Sequence, residues 1–419
     1  MSLLYYILFL IFYEAHGRKL IQGNIIWRHG DRSSFHTYPN DPYKFVWKDG
    51  KMQLTSKGMT QAYELGLYLK SKYGNLISKK YKENEIYIKS TDTDRTIMTA
   101  QCVVSGLYAL PNSTIGKSTI AFRPFPIHTD SLKRDWLYNR KKYPEKGCKA
   151  FADLLKKGQN ESKFYKSLLS SYAHFFKNMT FLTGMKEPYD FNSITDLYDN
   201  LICLRSNNYT LPKWVDDNTT KSLAYLAGLH QGLACTDYEL KYAKTLSKMT
   251  NGIILGNMLE NMEKRIRNET QYSLVGYSAH DSCITTLLVS IGAHNWIIPP
   301  YASCVMLDLY LENDLSYSVE LWYRNDSTQS PHRLPFYKCG TSCSFEQFQK
   351  VASEVVPGSD NARLCGISDG YCGNFFLIGL AILVTNILLF VSVYYCIFKR
   401  NPYSRLPQHE SDTLNLKSM

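Results

Sequence analysis

The sequence predicts an α/β fold with one C-terminal transmembrane helix, and three observations lead to this class. Short runs rich in β-branched and aromatic residues alternate with stretches of helical period. Each run continues into polar residues, as strands do where they end at a ligand site. An uncharged stretch of 24 residues lies near the C-terminus. The 419 residues suffice for two structural units with ample core, so the fold does not require a disulfide framework.

The first apolar stretch predicts a signal peptide. Ser2 to Phe12 is too short to cross a bilayer, and Ala15-His16-Gly17 puts small residues at the −3 and −1 positions of a cleavage site. We therefore assign residues 1–17 to a signal peptide. A signal anchor or a buried helix is the alternative, and the shortness of the run argues against it.

The second apolar stretch predicts a transmembrane helix. Phe375 to Phe398 is long enough, at about 1.5 Å per residue, to cross a hydrocarbon core. Lys399 and Arg400 follow, and the positive-inside rule then places residues 399–419 in the cytoplasm and residues 18–374 outside it. The predicted topology is single-pass type I. A removed GPI-type tail is the competing interpretation, but such tails end the chain, whereas 21 mostly polar residues follow here.

The segment between the two apolar stretches has the features of a protein that folds in the secretory pathway. Ten of the 11 cysteines lie in it, where an oxidising compartment favours disulfides, and Cys339 is predicted to bond to Cys343. Cys396, at the inner membrane edge, is either a palmitoylation site or a free thiol. Seven Asn-x-Ser/Thr glycosylation sequons occur in the same segment, at Asn112, Asn160, Asn178, Asn208, Asn218, Asn268 and Asn325.

The charge balance is basic, with 48 Lys and Arg against 37 Asp and Glu. The excess is dispersed, and clusters such as Lys79 to Lys82 are most simply solvated faces. A location outside the cytoplasm argues against nucleic acid as a partner, whereas a basic surface attracts anionic substrates. The sequence has no Cys-x-x-Cys pair that would indicate a zinc site.

The predicted elements are short strands and longer helices. The strand runs are Asn24 to Trp27, Glu85 to Ile88 and Tyr272 to Tyr277. Helical period follows over Thr55 to Lys72 and over Ile254 to Ile266, where apolar residues recur every three or four positions. Strands that alternate with helices in this way indicate an α/β sheet.

Three polar clusters follow the predicted strands: Arg28 to Arg32, Ser90 to Arg95 and Ser278 to Asp281. Because ligands bind outside the carboxyl ends of the strands in an open α/β sheet, we expect these clusters to meet. Their guanidinium groups present planar forks of donors that match phosphate oxygens best. The candidate site residues are Arg28, His29, Arg32, Arg95, His280 and Asp281.

This set of residues also predicts a reaction. The neutral imidazole of His29 attacks phosphorus in line and forms a phosphohistidine, which water later hydrolyses. Asp281 acts as general acid, because an alkoxide leaves poorly unless it is protonated, so an acidic pH optimum is expected. The arginines stabilise the equatorial phosphate oxygens, and no metal or other cofactor is required.

Each motif also has a plain structural interpretation. His280-Asp281 alone is most often a surface turn or a hydrogen-bonded pair. Arg95 is most often a solvated charge at a helix start, with Asp92 or Asp94 as the N-cap. Arg28 to Arg32, directly after an apolar strand, is harder to explain by packing. Three further histidines are interpreted as structural: His128, His174 and His230.

The motifs resemble those of the histidine acid phosphatase family. Arg28 to Arg32 is similar to the R-H-G-x-R signature of that family, and His280-Asp281 resembles its distal H-D pair. The resemblance covers residues 20–370 in order, which makes it far more specific than any single motif. It also includes Tyr38-Pro39-Asn40-Asp41-Pro42, Leu54-Thr55 with Gly58 and Gln61, Leu65-Gly66, Ser90 to Thr96, and Leu211-Pro212-Lys213-Trp214.

The resemblance implies a fold, a set of roles and a disulfide pattern. A mixed, phosphoglycerate-mutase-like sheet domain would comprise residues 18–125 and 246–374, with a mostly helical domain inserted at 126–245. His29 would be the phosphorylated nucleophile and Asp281 the proton donor, and the phosphate ligands would be Arg28, Arg32, Arg95 and His280. The implied disulfides are Cys148–Cys365, Cys203–Cys304 and Cys339–Cys343.

The sequence departs from the family pattern at two places, and its membrane anchor indicates a branch of the family. It departs from the pattern at Ser34, where the family usually has Pro, and at Ser282-Cys283, but neither change removes a chemical group. The membrane anchor makes it most similar to the lysosomal branch. Tyr403-Ser404-Arg405-Leu406 fits a Tyr-x-x-apolar sorting signal, so sorting adaptors are expected partners; an unrecognised solvated tail is the alternative. Residence at the cell surface and assembly as a homodimer stay open.

Three functions are compatible with the sequence. The first is an acid phosphatase acting on small phosphomonoesters. The second is an inositol-polyphosphate phosphatase of the same superfamily, favoured by the basic ectodomain; such enzymes often carry His-Ala-Glu at the distal motif, which this chain lacks. The third is a glycosylated receptor or adhesion ectodomain that keeps the fold without turnover.

Overall fold

A computed structural model gives the structure of most of the chain between the predicted signal peptide and the tail. Residues 1–16, the tail after Lys399, Asn112, Cys148 and Cys365 lie outside the described residues, so the signal peptide, the sorting motif and the Cys148–Cys365 pairing stay predictions. Residues up to 366 form one compact unit, and residues from 367 onward form another. The structure describes residues 17–109, 114–115, 118–119, 124–131, 135, 149–233, 241–249, 252–357 and 370–399, the last with side chains at 379–397.

A mixed eight-stranded sheet forms the centre of the larger described unit, with strand order β10-β8-β7-β1-β6-β2-β5 and β9 beside β8. β1, β6, β2 and β5 run parallel to one another, whereas β7 pairs antiparallel with both β1 and β8. The strands are β1 (Lys19–Arg28), β2 (Ile86–Ser90), β3 (Thr114–Ile115), β4 (Ser118–Thr119), β5 (His128–Thr129), β6 (Leu274–Ala279), β7 (Cys304–Leu311), β8 (Tyr317–Arg324), β9 (His332–Leu334) and β10 (Ser342–Ser344).

Helices connect the strands and cover both faces of the sheet. The predicted helix after β1 begins one residue later than expected, because Thr55 is its N-cap and accepts a hydrogen bond from the backbone N–H of Gly58. The described helices are α1 (Ser56–Tyr73), α2 (Asp94–Leu107), α3 (Lys149–Glu161), α4 (Lys163–Thr183), α5 (Ile194–Ser206), α6 (Asp217–Leu233), α7 (Ala243–Lys248), α8 (Gly252–Ile266), α9 (Asp281–Ser290), α10 (Phe345–Ser353) and α11 (Gly370–Lys399).

The three predicted strands are neighbours in the sheet and end at the same edge. β1 and β2 flank β6, both parallel to it. In this register Arg28 lies opposite Ala279, and Ser90 lies opposite Ser278. The three polar clusters that follow these strands therefore emerge side by side, as predicted from the position of ligand sites in open α/β sheets.

The sheet separates two hydrophobic cores, because successive side chains of a strand point to opposite faces. Ile25 and Trp27 of β1 face a core shared with α1 and α2. Ile26 faces the opposite core, which is shared with α8, α9 and α10. The helices between α3 and α7 include a third core around Phe191 and Leu226, both fully buried. The predicted boundaries of the inserted domain, residues 126–245, stay a prediction.

The described cysteines bear out one predicted disulfide and correct another. Cys339 and Cys343 are bonded, with their Cα atoms 5.4 Å apart. Cys203 and Cys304 are both free and buried, so the pairing that the resemblance implied is not observed. The reason is the direction of the two side chains. Cys304 points into the core around Trp27, whereas the Cys203 sulfur lies 3.3 Å from the Tyr301 hydroxyl.

Six of the seven predicted sequons lie in described residues, and none of the six is buried. Asn325 is partly exposed, and the other five are exposed: Asn160, Asn178, Asn208, Asn218 and Asn268. Their accessibility is what glycosylation requires. Modification itself stays a prediction for all seven.

α11 contains the predicted transmembrane segment. Its residues Gly379–Ile397 are long and apolar enough to cross a membrane, with a mean hydropathy of 2.3. This length and composition support the predicted span at residues 375–398. The type I orientation and the palmitoylation of Cys396 stay predictions.

Candidate active site

Three neighbouring segments fix the His29 backbone just after the carboxyl end of β1, a central strand of the sheet. Its N–H donates to the carbonyl of Ala279, and its carbonyl accepts from the N–H of Ala302. Gly30 follows where α1 approaches closely: a Cβ atom at this position would lie 2.2 Å from the carbonyl oxygen of Gly58. The glycine of the predicted motif is therefore required by a backbone contact, which holds the residues on either side of it in place.

The hydrogen bond of the His29 ring defines its tautomer. Nδ1 lies 2.8 Å from the carbonyl oxygen of Gly30. A carbonyl oxygen only accepts, so Nδ1 carries the hydrogen and donates it. Nε2 of the neutral ring then keeps its lone pair, which is the form that a nucleophilic imidazole needs.

The surroundings of His29 keep its imidazole neutral. The residue is 2% exposed. Burial lowers the pKa of His29 well below its usual value, and the positive charges of Arg95, Arg28 and Arg32 lower it further. The ring therefore stays unprotonated in mildly acidic solution, where an ordinary histidine is charged.

We expect His29 to be neutral at pH 5 in the ligand-free protein, because burial and three guanidinium groups disfavour the imidazolium. Long-range ¹⁵N–¹H NMR spectra distinguish the two states, and His29→Gln assigns the signal. The same chain unfolded in urea is the control, in which this ring is expected to be protonated at pH 5. A charged His29 in the folded protein at pH 5 would contradict the prediction.

Three predicted arginines lie around His29, as their effect on its pKa shows. Arg28 donates to the carbonyl oxygen of Pro299 at 2.6 Å, and its guanidinium lies 4.2 Å from the centre of the Tyr301 ring. Arg32 binds both carboxylate oxygens of Asp199, at 2.7 and 3.1 Å. The Nε atoms of all three guanidinium groups are buried and have no hydrogen-bond partner among the described residues: Arg28, Arg32 and Arg95.

His280 links the second cluster to the third. A guanidinium nitrogen of Arg95 donates to its Nδ1 at 3.2 Å, because a guanidinium cannot accept. Nε2 of His280 then carries the hydrogen and donates to the Thr91 hydroxyl at 3.1 Å. Burial and the charge of Arg95 lower the pKa of His280 to about 3, so this ring is also neutral. Its centre lies 5.6 Å from that of the His29 ring.

Asp281 is the first residue of α9 and lies beside Arg28. Its Oδ2 forms an ion pair with Arg28 at 2.7 Å, and its Oδ1 accepts from Gln231 and from the backbone N–H of Ser282. Burial raises the pKa of Asp281, but the charges of Arg28 and Arg32 outweigh this effect and leave the pKa lowered. In the ligand-free site the carboxyl group is therefore ionised, whereas a general acid must be protonated.

A pocket of about 490 Å³ lies beside these charged groups and has both polar and apolar lining. Arg28, Arg32 and Asp281 are among its charged lining residues, and Phe35 and Ile297 are among its apolar and aromatic ones. Phe35 is 41% exposed and Ile297 is 63% exposed, so the apolar part of the lining is open to a leaving group of some size.

The sequence missed three residues of the site: Asp199, Gln231 and Tyr301. Asp199 holds Arg32, Gln231 holds Asp281, and the Tyr301 ring lies against Arg28. They come from α5, from α6 and from the loop before β7. No spacing in the sequence relates them to the motifs, so only resemblance to a solved site could have found them.

The structure corrects the predicted N-cap of α2 and places two of the histidines interpreted as structural in ring contacts outside the pocket lining. The N-cap of α2 is Thr93, not Asp92 or Asp94; Asp94 is the first helical residue. His128 stacks on Tyr87, and His230 packs against Phe191. No group of three or more His, Cys, Asp or Glu in the described part of the chain is arranged to hold a metal ion.

The chain belongs to the histidine phosphatase superfamily (branch 2), whose family model matches residues 19–324. Among its relatives, prostatic acid phosphatase of Rattus norvegicus is 33% identical over 346 residues, which cover 82% of this chain and 89% of the relative. Lysosomal acid phosphatase of Xenopus laevis is 29% identical over 421 residues, 98% of this chain and 94% of the relative. The predicted family resemblance is confirmed.

Solved structures confirm the predicted fold class. The apo form of Hafnia alvei phytase superposes with a TM-score of 0.60, covering 84% of this chain and 98% of the phytase chain. The sequence identity is 13%, so this likeness concerns the fold alone. The mixed sheet with flanking helices is thus the fold that the two proteins share.

Proposed function

We propose that this protein is an acid phosphatase that hydrolyses phosphate monoesters through a phosphohistidine at His29. One observation carries the proposal: a buried neutral imidazole, with Nε2 left as an acceptor, lies among three arginines whose Nε atoms have no partner in the described residues. Guanidinium groups so arranged suit the oxygens of a phosphoryl group. The acid phosphatases among the relatives support the same activity.

In the first step His29 attacks the phosphorus atom. The Nε2 lone pair forms the N–P bond while the bond from phosphorus to the ester oxygen breaks. Asp281 gives its proton to the departing oxygen, which leaves as an alcohol. Arg28, Arg32 and Arg95 stabilise the phosphoryl oxygens during the transfer.

In the second step water releases the phosphate. The carboxylate that Asp281 became in the first step accepts a proton from water as the water oxygen attacks phosphorus. The N–P bond breaks, and its electron pair returns to Nε2 of His29. The enzyme is restored with Asp281 protonated, and inorganic phosphate leaves.

Substrate binding is what prepares Asp281 for its role. The dianionic ester takes up the donors of Arg28 and brings negative charge next to the carboxyl group, which removes the main cause of its low pKa. The pKa of Asp281 is then raised, so the carboxyl group is protonated more readily in acidic solution. This coupling is the reason that we expect an acidic optimum for a site whose free form holds an ionised Asp281.

The experiment that tests the proposal is rapid-quench labelling with a radioactive phosphomonoester. Phosphohistidine is expected to appear in the first turnover as a label that is stable to alkali and lost in acid. Its formation rate must be at least as fast as steady-state turnover. A label that is stable to acid and lost in alkali would indicate an acyl phosphate, and a labelled Asp281 would contradict the assignment.

The walls of the pocket favour small or aryl phosphomonoesters over inositol polyphosphates. Among the described residues, Arg28 and Arg32 are the cations that line the pocket. Asp199 is already paired with Arg32, and Asp196 adds a further carboxylate to the lining. The phosphate groups of a polyphosphate beyond the reacting one would therefore meet no additional cation of this lining and would lie near a carboxylate, which costs free energy.

We expect kcat/KM for p-nitrophenyl phosphate to exceed that for inositol hexakisphosphate by about 10²-fold or more, which corresponds to about 2.7 kcal/mol. Phosphate release from both substrates at the same acidic pH measures the ratio. Glycerol phosphate serves as a control for leaving-group reactivity, since it shares a poor leaving group with the inositol ester. Equal or better hydrolysis of the inositol ester than of glycerol phosphate would favour the second function.

The cellular context rests on the topology. We propose that residues 18–374 face the lysosomal lumen, anchored by α11, with residues 399–419 in the cytoplasm. The apolar length of α11 and the lysosomal acid phosphatase among the relatives support this location. The candidate sorting signal at Tyr403 and Leu406 would bind adaptors. Residence at the cell surface is the alternative location. Assembly as a homodimer is a separate prediction.

A further inference from the structure

The C-terminal end of helix α6 lies close to α9, the helix that begins at Asp281. At Gly228 a Cβ atom would lie 2.1 Å from the carbonyl oxygen of Trp296, so α6 is in backbone contact with the loop that precedes β7. Gln231 follows within the same turn. The helix position is thus set by packing, and the Gln231 side chain reaches the first turn of α9.

Gln231 bridges two residues that lie one turn apart on α9. Its Nε2 donates to Oδ1 of Asp281 at 2.8 Å, and its Oε1 accepts from the Thr285 hydroxyl at 3.1 Å. Thr285 is fully buried. The opposite orientation of the amide would put its oxygen against the carboxylate, so the two contacts together fix which end of the amide faces Asp281.

The two oxygens of Asp281 are therefore not equivalent. Oδ1 accepts two N–H groups, from Gln231 and from the backbone of Ser282 at 2.7 Å. Oδ2 lies 2.7 Å from a guanidinium nitrogen of Arg28, on the side of the phosphate site. When the substrate takes up the Arg28 donor, Oδ1 still holds its two N–H donors, and Oδ2 is the oxygen left for the proton.

We propose that Gln231 is a positioning residue that keeps the transferable proton of Asp281 on Oδ2, where it faces the leaving oxygen. This inference rests on the proposed function. In the first step the proton moves from Oδ2 to the ester oxygen, and the charge left on the carboxylate is stabilised at Oδ1 by Gln231 and Ser282. In the second step a water proton returns to Oδ2.

The groups around Asp281 determine how the loss of Gln231 acts on the pH profile. The charges of Arg28 and Arg32 favour the ionised carboxylate, and Arg95 is also within electrostatic range. His280 is its neutral neighbour, and the donors on Oδ1 act in the same direction as the arginines. Removing the Gln231 donor raises the pKa of Asp281. Since activity falls where Asp281 loses its proton, the descending limb of the profile moves to higher pH while the maximum falls.

The test compares Gln231→Leu with the wild type on two substrates. We expect kcat/KM, which reports the step that expels the leaving group, to fall about 10- to 30-fold for phenyl phosphate, whose leaving group needs the proton. For 2,4-dinitrophenyl phosphate, which does not need it, the fall should be less than about threefold. Gln349→Leu is the matched control, because Gln349 donates a hydrogen bond of the same length, 2.8 Å, to Glu263 away from the site. It is expected to leave both rates unchanged.

A uniform fall for both substrates, or no change for either, would overturn the proposal. If Gln231→Leu fails to fold, Thr285→Val carries the test: it frees the amide to rotate and should give the same substrate dependence at smaller size. Asp281→Asn separates the two claims. If Asp281→Asn loses no more activity with poor leaving groups than with good ones, the general-acid assignment fails. If Asp281→Asn shows this larger loss and Gln231→Leu does not, only the present inference fails.

Discussion

Replacement of His29 by alanine is expected to reduce hydrolysis of phosphate monoesters by about 10⁴-fold or more, because it removes the Nε2 at which the proposed N–P bond forms. The lone pair is supplied by a tautomer that the Gly30 carbonyl fixes, and burial with three arginines keeps it unprotonated. Steady-state rates and the quench label should disappear together, since both depend on the N–P bond.

The control for His29→Ala is His128→Ala. His128 is exposed and stacks on Tyr87 outside the pocket, so the same substitution there should leave turnover and labelling intact. Circular dichroism of both variants verifies the fold. Equal hydrolysis by His29→Ala and wild type would mean that this site has no catalytic role and would favour a glycosylated receptor ectodomain.

Asp281→Asn is expected to have the second largest effect, and its size should depend on the leaving group. Esters of poor leaving groups, such as alkyl phosphates, should lose about 10²- to 10⁴-fold in kcat/KM, which is the usual contribution of a general acid. Aryl esters that leave as stable anions should lose far less. The slope of log kcat/KM against leaving-group pKa, measured over a series of phenyl phosphates, should become steeper in the variant.

The pH dependence of activity is a second, independent test of the proposed role of Asp281. We expect the wild type to lose activity as pH rises through the pKa of this carboxyl group in the substrate complex, because the acid form is the proposed proton donor. Asp281→Asn cannot ionise, so its descending limb should be lost for poor leaving groups. Asp130→Asn is the control, since Asp130 pairs with Lys89 at the surface. Wild-type rates of Asp281→Asn on alkyl phosphates would exclude this role.

The strand-end motifs could be found from the sequence because their geometry is local. A run of apolar residues that ends in Arg28 and His29 has to place them at the end of a strand, and parallel strands bring their carboxyl ends to one edge. The order β1, β6, β2 then joins segments that are far apart in the chain. Neither the register nor the strand order follows from any one segment.

The failures have the same physical origin. The Cys203–Cys304 pairing was carried over by position, but side-chain direction in the packed structure separates Cys304 in the core from Cys203 beside Tyr301. The N-cap of α2 differs by one residue from both predicted positions, because hydrogen bonds at the helix start are decided by the backbone of the preceding turn.

The sequence by itself determined which groups the site offers: an imidazole as the candidate nucleophile, a carboxyl group as the candidate proton donor, and guanidinium groups. It also determined an apolar segment long enough to span a membrane, and all of these are carried by local patterns. Only the tertiary structure decided how those groups are tuned. Asp199 is 167 residues from Arg32, and Gln231 is 50 residues from Asp281. Hydrogen bonds act over a few ångströms in space, and a local pattern in the chain does not specify which distant side chain will lie within that range.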